Sequence, residues 1–295
     1  MVSLTFLAEI GFTQEMIEQY VYYANILDDK IIPICNAYFR DEIKFKEALN
    51  QVEQLETEDI SRYTADLIFV IESSKFLEEK YVQCKIPRSI FVDSMKDIPC
   101  KVRECIAAKD VFGTFVAWWY DRFFDMTRMG FGRLQYDIDE YSKETIAIEG
   151  YEINKGDLVL NCHIPSAGPL YHELCIDSYK KAYKFFKDRL KGGILPIHCH
   201  SWLLYKPYVS VFGEQSNIYD FISDFKVFQT EHSGNFDEWR VFGKEYDIHK
   251  DILPTNTRLQ KNFVEYIKNG GTFGAGNGII LFDGEKVLTR NAIVS

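Results

Sequence analysis

Apolar positions in the first hundred residues, such as Ile43, Phe45, Leu49, Val52 and Leu55, recur at mixed three-to-four spacing, and a second helical run from Tyr63 to Tyr81 has Leu67, Phe69, Val70 and Phe76 as candidate inward positions. Glu, Lys, Gln and Leu are abundant and glycine is scarce. Residues 1 to about 105 therefore read as helices punctuated by Pro33, Pro87 and Pro99. Phe112 to Arg128, FGTFVAWWYDRFFDMTR, reads as one more, aromatic-rich helix. After Gly130 the period changes to two, with Leu134, Tyr136 and Ile138 on one face and Arg133, Gln135 and Asp137 on the other, which predicts a strand. Further strands are expected at 145–149, 157–164, 194–204 and 226–231, and helices at 174–190, near 213–224, and from Thr257 to Asn269, where Gly270 and Gly271 stop the last one. This order is that of an α+β (mixed α/β) chain: a helical amino-terminal domain over 1–110 followed by a mixed-sheet domain over 111–295.

The junction between one strand and its following helix carries the strongest local signal, from Lys155 to Lys191. Alternation places Leu158, Leu160, Cys162 and Ile164 on one strand face and Val159, Asn161 and His163 on the other; Pro165 ends the ladder. Ile176, Tyr179, Tyr183, Phe186 and Leu190 then form a helical stripe for a core, opposite Lys180, Lys181, Lys184, Lys187 and Lys191. The first-turn N–H groups of such a helix lack intrahelical partners, so the junction suits an anion, although Glu173 and Asp177 oppose one there. A plain connection with a solvated basic face explains the same pattern.

Composition narrows the class. A formal charge of −10 argues against a surface built for nucleic-acid phosphates. Seven cysteines without a C-x-x-C pair fit thiols in a reducing cytoplasm, and the first residues carry neither a signal-peptide nor a membrane-span pattern, so a cytoplasmic protein is expected.

Among titratable residues, His163 ends its strand on the Asn161 side and is the candidate general base. On the strand read over 194–204, His198, His200 and Trp202 share one face and Cys199 and Ser201 the other. His198 and His200 supply two metal ligands where zinc takes three or four, with His163 and either His172 or Glu173 as completing candidates; no metal is expected. Cys199, pointing away from both histidines, reads as a buried thiol. Arg133 and Gln135, sharing a face, suit an acidic or amide-bearing substrate. Gly274, Gly276 and Gly278 read as a turn into a strand from Ile279 to Asp283, since no helix with a Lys-Ser/Thr ending follows.

Several ordered blocks carry a resemblance: Gly132-Arg133-Leu134-Gln135-Tyr136, His163-Ile164-Pro165 with Gly168-Pro169-Leu170, Cys199-His200-Ser201-Trp202-Leu203-Leu204, Val241-Phe242-Gly243, and Leu253-Pro254 with Thr257, Leu259 and Gln260. On these residues the chain resembles a family of bacterial acyltransferases with an N-terminal helical domain and a C-terminal domain similar to the GNAT superfamily of N-acetyltransferases. The resemblance implies acyl transfer from acetyl-CoA or another acyl-CoA to a small-molecule acceptor, an amine foremost, by direct attack. It also implies that the cofactor pyrophosphate sits on N–H groups of the loop Ile164, Ser166, Ala167, Gly168 and Leu170, with Lys180 and Lys181 nearby. Pro165 and Pro169 lack an N–H and depart from the superfamily's glycine-rich loop. Tyr219 stands where these enzymes place an acid for the departing thiolate, and His200 and Trp202 join Arg133 and Gln135 as substrate-binding candidates. A non-catalytic binding protein on the same fold and a metal-dependent hydrolase using His198 and His200 are the alternatives.

Overall fold

The computed structural model describes residues 1–142, 144–233, 238–248 and 252–290. Two compact units divide the chain: Met1–Gly130 with Pro165–Ala167, and Phe131–Ile164 with Gly168–Ser295. Residues 111–130 thus cluster with the helices rather than with the mixed sheet.

The first unit contains α1 (Leu4–Ile10), α2 (Gln14–Phe39), α3 (Phe45–Glu53), α4 (Arg62–Gln83), α5 (Arg88–Met95), α6 (Asp97–Lys109) and the short α7 (Asp121–Phe124). Helix α4 is the axis: every residue from Thr64 to Ser74 is buried, so it is surrounded rather than amphipathic. Phe39, Phe45, Phe69 and Phe124 pack ring against ring beside it. Pro33 lies inside α2 rather than ending it. The aromatic segment after 112 is not one long helix but a 3-10 turn at Ala117–Tyr120 running into α7, and Arg128 already belongs to a strand.

The strands are β1 (Arg128–Phe131), β2 (Leu134–Glu140), β3 (Ile146–Ile148), β4 (Tyr151–Ile153) and β5 (Leu158–His163), followed by α8 (His172–Phe186) and β6 (Leu195–Ser201). Then come α9 (Val209–Phe212), α10 (Asn217–Ile222), β7 (Lys226–Ser233), α11 (Glu238–Phe242), α12 (Arg258–Lys268) and β8 (Phe273–Phe282). Six strands form one mixed sheet in the order β1-β2-β5-β6-β8-β7, and β3 with β4 makes a separate two-stranded ribbon. β5 and β6 are parallel, with α8 as the crossover that a parallel pair requires; β2–β5, β6–β8 and β7–β8 are antiparallel.

Helix α8 covers one sheet face, with Tyr136 and Ser178 hydroxyls 3.0 Å apart and the Tyr179 ring 5.8 Å from Phe282. Its buried stripe is Cys175, Ser178, Tyr179, Ala182 and Phe186, rotated from the expected one, with Ile176 and Tyr183 at its margin. β8 runs straight through the glycines that the sequence suggests are a turn. A Cβ on Gly276 would lie 2.1 Å from the Leu204 carbonyl oxygen, so the turn at Trp202–Leu204 packs directly on this strand and leaves no room for side chains. α12 begins as the sequence indicates: Thr257 and Gln260 form a reciprocal capping box.

Candidate active site

The face of the sheet opposite α8 is divided along its length. At one end Val159, Ile279 and Leu281 pack against Ile148 and Ile153 of the β3–β4 ribbon. At the other end the same strands, in unbroken alternation, present polar residues. The β2–β5 register sets Asp137 opposite Asn161 and Gln135 opposite His163; β5–β6 sets Asn161 beside His198; β6–β8 sets His200 beside Asn277. Facing residues in these ladders point to the same side, so one row crosses the sheet from Asp137 to Glu231 on β7.

His163 Nε2 lies 2.9 Å from Asp137 Oδ2; the carboxylate is 4% exposed and the imidazole 22%. A buried carboxylate on one ring nitrogen holds the proton there and leaves Nδ1 as the acceptor. His198 has its Nδ1 3.2 Å from the Asn161 side-chain amide and its Nε2 3.2 Å from that of Asn277, which in turn donates to Glu231 Oε1 at 3.3 Å. His200 is about half exposed, 3.9 Å from the Glu231 carboxylate.

The row gathers some expected residues and disperses others. Trp202 is not on it: β6 ends at Ser201, whose Oγ caps the following turn by accepting from the Leu203 N–H, and the indole turns into an aromatic cluster with Tyr208, Phe212 and Phe263. Arg133 holds the chain after β5, donating to the Gly168 carbonyl at 2.7 Å and the Pro169 carbonyl at 3.3 Å. Gln135 is buried. Tyr219 is half-buried on α10, its N–H donating to the capping Ser216 Oγ, outside the row. Cys199 is buried on the α8 side, as is Cys162, whose thiol burial raises well above its ordinary range.

In the loop before α8, Gly168 is exposed with a φ of +87°, and a Cβ there meets nothing within 4 Å. Ser166 donates its hydroxyl to Glu104 at 2.6 Å, Leu170 is buried, and Ile164 is half-buried. Lys180 is exposed and Lys181 pairs with Asp177 at 2.8 Å. Among the described residues no group of three His, Cys, Asp or Glu side chains is placed to hold a metal, and no helix is long and apolar enough to cross a membrane. For a hydrolase built on His198 and His200 this leaves two ligands, one of them already enclosed by two amides.

Sequence reasoning passed over Asn277 and Glu231. Asn277 sits between two glycines that read as a turn, and Glu231 on a strand whose partner was unknown.

A helical unit followed by a mixed sheet around a β5–α8–β6 crossover defines a GNAT-like acyltransferase fold. The chain belongs to the GNAT-like C-terminal domain family, whose model matches residues 129–280, and the N-acyltransferase N-terminal domain matches residues 4–126. Among solved structures it is similar to an acyltransferase in complex with decanoyl-CoA and teicoplanin, at 16% identity and a TM-score of 0.72, covering 94% of this chain and 86% of that one. It is likewise similar to an acyltransferase mutant in complex with octanoyl-CoA, at 16% identity and a TM-score of 0.70, covering 93% of this chain and 86% of that one. A third, an acyltransferase in complex with decanoyl-CoA, matches at 17% identity and a TM-score of 0.66 over 93% and 86%. No curated protein sequence matches the chain.

Proposed function

We propose that this protein transfers an acyl group from acyl-CoA to an amine on a small acceptor. The observation that carries the reading is the His163–Asp137 pair at 2.9 Å on the polar end of the sheet face. Support comes from the family and from similar folds solved with octanoyl-CoA, decanoyl-CoA and a glycopeptide.

In this reading the acceptor nitrogen attacks the thioester carbonyl carbon, the C–N bond forms, and His163 Nδ1 takes the amine proton while Asp137 stabilises the resulting imidazolium. Collapse of the tetrahedral intermediate breaks the C–S bond, and the thiolate leaves with a proton, for which Tyr219 is the proposed donor. No covalent enzyme intermediate is needed. The cofactor pyrophosphate is assigned to main-chain N–H groups of Gly168 and Leu170, with Lys180 supplying positive charge. The Ser166 hydroxyl donates to Glu104, and Lys181 pairs with Asp177. Acetyl-CoA and longer acyl-CoAs are both candidate donors. The absence of N–H at Pro165 and Pro169 favours a second reading, acyl-CoA binding without turnover.

Thermal unfolding with coenzyme A, acetyl-CoA, octanoyl-CoA and decanoyl-CoA, for wild type and Gly168→Asp, tests the donor. A ligand at a hundred times its dissociation constant adds roughly 2.7 kcal/mol, a readily visible shift. Stabilisation that the aspartate abolishes supports the assignment; no stabilisation by any of the four contradicts it. Binding without thiol release in the presence of amines would select the second reading.

A further inference from the structure

Asn277 is 6% exposed on β8 and has one orientation that satisfies its neighbours. Its Nδ2–H donates to Glu231 Oε1 at 3.3 Å, which turns Oδ1 toward His198 Nε2 at 3.2 Å. Reversing the amide would set its carbonyl oxygen against a carboxylate, two acceptors face to face. A carbonyl oxygen only accepts, so the proton of His198 resides on Nε2. The remaining ring nitrogen of a neutral imidazole, Nδ1, is then an acceptor, and it faces the Asn161 side-chain amide at 3.2 Å. The two ends of an amide are nearly isosteric, and the hydrogen-bond network decides which one faces the ring. Asn161 Oδ1 is the atom that stands 3.2 Å from Nδ1; an accepting Nδ1 requires the reverse orientation of that amide, with Asn161 Nδ2 donating. Asn161 stands opposite Asp137 in the β2–β5 register, two residues before His163.

We propose that Glu231 and Asn277 are positioning residues: by fixing the Nε2–H tautomer of His198 they fix the Asn161 amide beside the Asp137–His163 pair. The relay crosses four neighbouring strands, β7, β8, β6 and β5, and begins at a side chain that is 54% exposed. Its consequence for rate rests on the acyl-transfer reading; its tautomer does not.

The test is ring-15N NMR of histidine-labelled full-length protein at pH 7, with the His198 signals assigned by His198→Gln. Wild type is expected to show His198 as the Nε2–H tautomer. Glu231→Gln, whose carbonyl oxygen still accepts from Asn277, keeps it, whereas Glu231→Leu and Asn277→Leu lose it to a mixture or to Nδ1–H. The same leucine variants are expected to lower kcat for thiol release roughly tenfold or more, with the KM for acyl-CoA unchanged and the glutamine variant near wild type. Glu231 is on an exposed strand, so its variants retain the fold. An Nδ1–H or imidazolium His198 in wild type, or an unchanged tautomer in both leucine variants, overturns the proposal. The expected tautomers in a protein that releases no thiol would support the relay while removing the acyl-transfer reading.

Discussion

The two units bury carboxylates on opposite terms. In the helical unit Asp66 is 6% exposed with its Oδ1 lacking a hydrogen-bond partner, and desolvation pushes its carboxyl up to about 7. In the sheet unit Asp224 is buried as deeply, and desolvation raises its carboxyl too. There, however, the Tyr179 hydroxyl donates to Oδ2 at 3.1 Å, His172 Nε2 lies 3.1 Å from Oδ1, and Arg290 makes an ion pair with it. Asp137 is the third case, a buried carboxylate 2.9 Å from the His163 imidazole. Burial alone therefore says little about role; the partner decides. A lone buried acid is a stability cost, an enclosed one a structural node, and one that backs a partly exposed histidine a candidate for chemistry.

The largest effect expected from this contrast is on rate. Asp137→Asn removes the charge behind His163 with hardly any change in shape, and steady-state thiol release should fall by about 10²- to 10⁴-fold with thermal stability nearly unchanged. Asp224→Ala should do the reverse, leaving Tyr179, His172 and Arg290 without their common acceptor and costing roughly 3–5 kcal/mol in urea unfolding. Asp66→Asn should be stabilising, with a definite pH dependence. The carboxyl titrates near 4 unfolded and about 7 folded, so there is no penalty below pH 4; it grows between pH 4 and 7 and is complete above 7. Urea unfolding of wild type and variant at pH 8 should differ by roughly 4 kcal/mol in favour of asparagine, and at pH 4 the gap should close. The smallest effect belongs to Ser166→Ala, which loses an exposed hydrogen bond to Glu104 and should shift stability by less than about 0.5 kcal/mol.

What the sequence disclosed followed from period. β5 and the start of α8 are where the alternation and the proline place them, and His163 and Asn161 share the face that alternation predicts. The capping box at Thr257 is local chemistry and equally readable. What stayed hidden depends on partners distant in sequence. Asp137 becomes significant only through the β2–β5 register. Gly274, Gly276 and Gly278 look like a turn because nothing local tells that Leu204 and Tyr205 press on that strand. Trp202 leaves the histidine face because a serine cap ends β6 one residue before it. The aromatic segment from 112 to 128 has helical composition but is broken into a turn, a short helix and a strand.

The central claim is that His163, backed by Asp137, takes the acceptor's proton. It is tested most directly by thiol release from octanoyl-CoA in the presence of a panel of primary amines, comparing wild type with His163→Ala. The account predicts release with at least one amine by wild type and a fall of roughly 10²-fold or more in the variant, with acyl-CoA binding retained. Release at the wild-type rate by His163→Ala would contradict it.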